Sequence, residues 1–539
     1  MVIFFLVVVV ARALVVPPQS WSTKEGPAST IIVGAGPAGL ASAIVAARRG
    51  WKQVRVIDRR PPPEDVEDES VWLDASRHYL IGLGGRGQLS LAALDAWDSV
   101  ERYSSIVVGR KDWAPGAEGV ERIYYERPYK TQVIARDRLA GVLYRLAREK
   151  FPDIDFGFET SVEGARVTES GVFLDTNRGP LEARFVVAAD GAARTIATEI
   201  EKLGSCKVVR YRDDNERVFK TVPLSLPPAW KRTLNYSARS RDGRVNFDAL
   251  PATRTGDYNG VLLLRARDPV AQKDGDPYEL RALLDQNLPQ FSPLVSDETL
   301  YAVARSPANP LPRFRFVDKA LHHEDKVVIL GDAAHTVKPY FGLGANTAFQ
   351  DVVELDRALN ESETGDLALA NFTRARAPEA KAIVQISRSL DRPGIAGLFS
   401  FIFPIILDGY FHKLFPKLFA TNAIAMMQRL DVTFQGVRRR KRLDRAVQVA
   451  LLLGVFALLK PLFSAMAPAL GRATHYLVRQ APVTEPICLA AVLYLAFRYV
   501  FLGQGRPPPR DPADLLARSA QKITEAGSES LKIDKQPPE

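Results

Sequence analysis

The stretch "STIIVGAGPAGL" carries Gly34, Gly36 and Gly39 in a GxGxxG spacing that opens directly from an apolar run. Each glycine has its own task in a strand–turn–helix unit. The first permits the tight turn, the second lets a pyrophosphate approach the backbone, and the third lets helix pack on strand. A helix over 38–49 aims its N-terminal amides and its dipole at that phosphate. The next apolar run, 54–57, delivers Asp58, with Arg59 beside it. A carboxylate about 20 residues past the glycines accepts hydrogen bonds from ribose hydroxyls. These features point to a dinucleotide. NAD and FAD both use such a unit, and the alternative is a glycine-rich turn in another α/β protein.

A second constellation lies far down the chain, in "KVVILGDAAHTVKPYFGLGANTAFQD". It reads as a strand ending on Gly331 and Asp332, then Pro339, a glycine turn at Gly342 and Gly344, and a helix starting near Ala345 or Asn346. If this strand joins the same parallel sheet, Asp332 stands at a strand's carboxyl end, where such sheets bind ligands. The helix start is a further anion site. His335 reads as structural rather than as a base. No Ser/His/Asp triad or carboxylate pair stands out, so no catalytic side chain is assigned. Cys206 and Cys488 are the only cysteines, and the six histidines show no ligand spacing. No metal site is expected. There is no second GxGxxG backed by an acid.

The elements that must hold these residues occupy 539 residues, of which 46% are hydrophobic and 25% charged. That suits about two domains with a sizeable core. The net charge of +10 is concentrated in "VRRRKRLDR" (437–445), just before an apolar stretch. This favours a membrane surface over nucleic acid. The apolar run 2–10 is too short to span a bilayer and resembles a targeting core. The expected organisation is a targeting segment (1–26), the first parts of a nucleotide domain (27–204) and a β-sheet substrate domain (205–325). The last nucleotide part (326–392), C-terminal helices (393–445), membrane-associated helices (446–503) and a disordered tail (504–539) follow. Lys460 and Pro461 interrupt the longest apolar patch, and Pro404 and Asp408 interrupt another. The expected location is an organellar membrane, the mitochondrial outer membrane or a plastid.

"GAGPAG", "VVAADGAARTIA" and "GDAAHTVKPYFGLGAN", in that order, resemble the flavoprotein aromatic hydroxylases, within them most of all the kynurenine 3-monooxygenase branch. The resemblance implies an α/β fold: a Rossmann-like FAD-binding domain of the aromatic-hydroxylase type, an inserted antiparallel-sheet substrate domain and a helical, membrane-associated tail. It implies FAD, held by Gly34, Gly36, Gly39, Asp58, Arg59, Arg136, Asp190, Asp332, Pro339, Gly342, Gly344, Ala345 and Asn346. The helix start near Asn346 would suit the charge of a reduced flavin. "SRHYLIGLGGRGQLSL" matches a segment with an arginine, Arg77, and an Arg86–Gly87 pair. NADPH would be a transient co-substrate, with Arg194 either assisting it or serving the turn. O2, a flavin C4a-hydroperoxide and a small aromatic substrate complete the implied reaction. Arg110 and Tyr124 fall where that branch grips a substrate carboxylate, a pairing chemically suited to the task. One segment departs: "SRSLDRPG" puts Leu390, then Pro393 and Gly394, where the branch has N-Y-I-E-M-R, which puts L-kynurenine itself in doubt. The competing readings are a membrane flavoprotein acting on a lipid and a flavin-binding factor without turnover.

Overall fold

The structure, a computed structural model, describes residues 20–68, 71–72, 79–125, 127–212, 216–392 and 394–474. Thr30–Val33 (β1), Val54–Ile57 (β2), Asp155–Gly157 (β3), Phe185–Ala188 (β4) and Val327–Ile329 (β5) form one parallel sheet in the order β5-β4-β1-β2-β3. A short antiparallel strand, His322–His323, closes the β5 edge. Every residue of β1, β4 and β5 is buried. That explains their unbroken apolar runs, because strands covered on both faces do not alternate. The chain leaves β1 through helix α1 (Pro37–Arg48) towards β2, while β4 lies on β1's other side. The carboxyl ends of β1 and β4 therefore form a switch point, where open α/β sheets bind ligands.

A seven-stranded sheet stands apart. Its order is Asn309–Pro310, Arg217–Ser225, Asp257–Arg265, Asn246–Pro251, Leu234–Arg239, Gly109–Trp113 and Val120–Ile123. It is antiparallel except where Leu234–Arg239 meets Gly109–Trp113. The expected boundary is corrected here. Two strands from within 27–204 complete the sheet expected over 205–325, because backbone pairing joins distant segments. One face, with Tyr236, Phe247, Leu262 and Leu264, packs on Pro277–Asn287 and Asp297–Arg305. The opposite face carries Leu250, which packs with Leu80, Val107 and Val133 of a small three-stranded sheet. That face is therefore turned towards the nucleotide domain.

Helices α2 (Gly85–Ala93), α3 (Arg136–Lys150), α4 (Gly344–Asn360) and α5 (Gly365–Ser389) pack around the parallel sheet and its edges. α5 runs through Pro378 and ends at Ser389, ahead of the Pro393–Gly394 pair. Residues 20–26, assigned to a targeting segment, belong to the folded body. Trp21 packs edge-on to Trp51, its Nε1 donates to the Asp325 carbonyl at 2.7 Å, and Thr23 is buried.

The expected interruptions of the C-terminal apolar patches do not occur. Phe434–Thr474 (α7) is one helix running through Lys460 and Pro461, and Pro404 sits harmlessly in the first turn of Phe403–Leu414 (α6). Asp408 is buried and accepts from Arg445 Nη2 at 3.2 Å and Gln448 Nε2 at 3.3 Å, with Lys441 Nζ also at 3.2 Å. It joins α6 to α7 rather than breaking α6. Among the described residues no helix is long and apolar enough to cross a membrane, so the span expected over 446–470 is not supported. Residues 1–19, Arg77, the apolar patch 487–502 and the tail lie outside the described residues.

Candidate functional site

The glycine spacing works as three different constraints. Gly34 has φ +110°, and a Cβ there would lie 2.4 Å from the Ala189 carbonyl oxygen. A Cβ on Gly39 would lie 1.8 Å from the Gly34 oxygen, so this glycine sets how closely α1 approaches β1. A Cβ on Gly36 would meet only Arg136 Nη2, at 3.9 Å. The space before Gly36 is thus open, and the α1 N-terminus has no side-chain cap. Its first amides are unclaimed donors facing a gap, which is what a phosphate requires.

Asp58 follows β2 and bends back to this turn. Its Oδ2 accepts from Ala35 N at 2.7 Å and its Oδ1 from Arg60 N at 2.8 Å. The carboxylate braces the turn and keeps lone pairs for a ribose. Arg59 beside it is exposed. Arg136 starts α3, and its backbone N donates to the Tyr79 carbonyl while its guanidinium reaches Asp137 at 3.1 Å, next to Gly36. Asp190, at the end of β4, accepts from Ile196 N at 3.4 Å through Oδ2. Its buried Oδ1 has no partner, and burial raises its pKa.

Asp332 stands at the carboxyl end of β5, on the same edge. Solvent reaches its side chain, yet protein surrounds it closely. That combination describes the wall of a cleft. Desolvation raises its pKa, against the pull of His335, Arg194 and Arg136. Tyr79 lies close enough to feel this carboxylate, and burial raises the phenol's pKa well above its usual value. The Tyr79 ring also meets Phe219 of the seven-stranded sheet, at 6.0 Å between centroids, so the two domains touch beside Asp332.

The glycine turn is built as its residue types suggest. Pro339–Phe341 forms one 3-10 turn, Gly342 takes φ +61°, and α4 begins at Gly344, followed by Ala345. The α4 N-terminus also lacks a side-chain cap. The Asn346 side chain is fully spent on protein. Its Oδ1 accepts from Gly84 N at 2.9 Å and Gly87 N at 3.0 Å, and its Nδ2 donates to the Gly82 and Gly342 carbonyls. Of Asn346, only the backbone is left for a ligand.

Several residues act behind this surface. His335 is buried, with Nε2 2.7 Å from Asp351 Oδ2, and Arg376 donates to the other Asp351 oxygen at 2.7 Å. Burial would raise the Asp351 pKa, but His335 and Arg376 hold it below its usual value. This buried cluster fixes the "GDAAH" segment. Arg194 has left-handed backbone (φ 55°), is buried, and donates to the Ala333 carbonyl and to Thr336 Oγ1. Burial pushes its pKa down to about 10. Of its two readings, the geometry favours the turn. Arg86 donates to the Arg429 and Val432 carbonyls and stacks on Phe434, tying α2 to the C-terminal segment. Leu390 packs in a hydrophobic cluster with α7. Asp391 pairs with Lys338 at 2.7 Å, one residue before Pro339.

Arg110, on the strand Gly109–Trp113, and Tyr124, one residue past the neighbouring edge strand Val120–Ile123, do come together, near enough for Tyr124 to act on the Arg110 charge. Sequence reasoning missed what already holds Arg110. Asp112, two residues on and so on the same strand face, accepts from its Nε at 2.7 Å and lies 2.5 Å from its Nη2. Asp248 also faces Arg110. The alternating register was the available signal, and it passed unused.

The sequence matches the family described as "FAD binding domain" over residues 91–387. The chain belongs to this family, the flavoprotein aromatic hydroxylases, and so to the class of FAD-dependent monooxygenases. A kynurenine 3-monooxygenase of Salinispora tropica is 26% identical over 375 residues, covering 66% of this chain and 78% of that protein. The Drosophila willistoni enzyme is 25% identical over 401 residues, covering 72% and 84%. Among solved structures, 2-methyl-3-hydroxypyridine-5-carboxylic acid oxygenase superposes with a TM-score of 0.54 at 18% identity, covering 70% of this chain and 96% of that one. PqsL of Pseudomonas aeruginosa superposes with a TM-score of 0.51 at 21% identity, covering 67% and 95%. These two likenesses concern the fold. The residues present fit FAD: the open space at Gly36, two uncapped helix N-termini, the unpartnered Asp190 oxygen and the cleft at Asp332.

Proposed function

We propose that this chain uses FAD, NAD(P)H and O2 to hydroxylate a small aromatic molecule, as a relative of the kynurenine 3-monooxygenases. The observation that carries this reading is the Asp332 cleft. It opens at the carboxyl ends of β4 and β5, is bordered by the α1 and α4 turns, and faces a β-sheet able to cover a ring substrate. Gly34, Gly36, Gly39, Asp58, Arg59, Arg136 and Asp190 would hold the nucleotide and diphosphate. Asp332 and the 339–346 turn would hold the ribityl and ring end. Bound FAD would accept electrons from NADPH and activate O2, chemistry that belongs to the cofactor. The protein's part is to orient the ring and exclude water, and the Tyr79–Phe219 contact closes one side of that space. The test is mass spectrometry of aromatic candidates, L-kynurenine first, incubated with the yellow protein, NADPH and air. A product heavier by one oxygen is expected. Flavin that NADPH leaves oxidised with every aromatic candidate would remove the reading.

The location expected from the sequence takes a more limited form: attachment to an anionic membrane surface, as on an organelle. Phe399, Ile402, Phe403 and Ile406 are exposed around the start of α6, and Leu453 and Leu458 along α7, beyond the basic run 438–445. Apolar side chains beside clustered arginines suit insertion into such a surface. The protein should float with anionic vesicles, and Phe403→Asp with Ile406→Asp should abolish flotation. A wild-type protein that stays with the soluble fraction would refute this.

A further inference from the structure

The seven-stranded sheet turns a specific set of side chains towards the nucleotide domain. Strand register aligns Asp112, Ser237 and Asp248 in one row, and Arg110, Asn235, Leu250 and Asn259 in the next. Leu250 packs against the small sheet of the nucleotide domain, which fixes the direction this face looks. Arg110 is not idle here. Its Nε and Nη2 both engage Asp112 Oδ1. Asp248 is exposed on this face, and only its Oδ1 accepts from a neighbour, Ser237 Oγ at 2.6 Å. Asn235 Oδ1 is buried without a partner. Of the neighbouring cations, Arg127 stacks on the Tyr124 ring at 3.9 Å, Lys111 lies over Trp113 on the opposite face, and Arg122 is exposed on the edge strand, while Arg239 shares this face one row beyond Asp248 and is exposed.

A substrate carboxylate entering here finds the Nε–Nη2 edge of Arg110, the one suited to a two-point grip, already taken by Asp112, and lies near two carboxylates, Asp112 and Asp248. Both features oppose it, the first because the Arg110 charge is already balanced and the second by like-charge repulsion. A nitrogen that donates hydrogen bonds meets the reverse, because Asp248 Oδ2 and Asn235 Oδ1 can both accept.

We infer that Asp112 and Asp248 are specificity-determining residues. Asp112 keeps Arg110 as an internal counter-ion, and Asp248 receives an amine or other hydrogen-bond-donating nitrogen carried by the aromatic substrate. This rests on the aromatic-hydroxylase reading and deepens it. It replaces the carboxylate clamp expected from Arg110 and Tyr124 with a site of opposite preference.

Three ligands sharing one aminophenyl ketone test it on the holoenzyme: kynuramine (amine only), 4-(2-aminophenyl)-4-oxobutanoate (carboxylate only) and L-kynurenine (both). Binding is read from the change in flavin absorbance without NADPH. Kynuramine is expected to bind at least about tenfold more tightly than the carboxylate-only ligand, the scale of one charged hydrogen bond. Asp112→Asn releases Arg110 and moves the preference about tenfold towards the carboxylate. Asp248→Asn weakens kynuramine by about tenfold. Flavin content checks that each variant folds, and Asp248→Ser repeats the second test should Asp248→Asn lose flavin. Tighter binding of the carboxylate-only ligand to wild type, equal binding of the two single-group ligands, or no binding of either overturns the inference. Failure of the monooxygenase reading shows separately, as flavin that NADPH does not reduce with any ligand.

Discussion

Replacing each motif glycine by alanine should produce two kinds of failure. At Gly36 the backbone is extended (φ −75°, ψ 174°), which any residue adopts, and a Cβ would have nothing nearer than 3.9 Å. Gly36→Ala should therefore fold normally, with stability unchanged or raised by about 0.4–1 kcal/mol through the unfolded chain. The added methyl projects into the gap before the α1 amides. Losing one amide–phosphate hydrogen bond costs about 1.5–3 kcal/mol, so the Kd for FAD should rise about ten- to a hundred-fold. Gly39→Ala is the opposite case. A Cβ 1.8 Å from the Gly34 oxygen must push α1 off β1 by more than an ångström. Such overpacking costs about 1–3 kcal/mol or more in folding. Gly34→Ala adds left-handed strain of about 1–3 kcal/mol to a 2.4 Å clash with the Ala189 carbonyl. Urea denaturation of flavin-stripped protein and fluorescence titration with FAD separate the two effects. If Gly36→Ala unfolds as readily as Gly39→Ala, or binds FAD like wild type, the assignment of the open space to the pyrophosphate is wrong.

Asp351 should set an acid limb of stability. Its pKa lies below the usual 3.8 in the folded protein, so the stability it adds is complete above about pH 5 and is lost as pH falls through the folded value. Asp351→Asn should flatten that limb in pH-dependent urea melts. It should also cost about 3–5 kcal/mol at neutral pH, since Arg376 is left buried without its carboxylate. An unchanged acid limb would contradict this. Truncation should show where the folded body ends. A chain stopped after Thr433 loses Phe434 and Val437, both fully buried, and strips Glu379 of the Phe434 and Gln435 amides. It should lose more than about 3–5 kcal/mol and aggregate. A chain stopped after Leu451 keeps every described partner of Asp408 and should purify with flavin. Aggregation of the longer chain would place the rest of α7 in the core.

The nucleotide half of the site was legible because its information is local. Gly34, Gly36, Gly39 and Asp58 work at fixed offsets along one strand–turn–helix–strand unit, and β2 was read with its observed bounds. The Asp332 strand and the glycine turn were legible for the same reason. Less legible was anything made by contact between distant segments. The position of Asn346 in the turn did not show that its side-chain amide is committed to Gly82, Gly84, Gly87 and Gly342. Asp408 resembled a helix breaker until α7 supplied Arg445, Gln448 and Lys441.

By itself, then, the sequence determined the fold class, the dinucleotide unit and, through resemblance, the flavin class, because short-range spacing and periodicity carry those directly. Only the tertiary structure decided that 109–113 and 120–123 complete the second sheet, and that Arg110 is already paired with Asp112. Sheet membership comes from backbone hydrogen bonds between segments far apart in the chain, and a side chain's charge is available only after its neighbours have been counted.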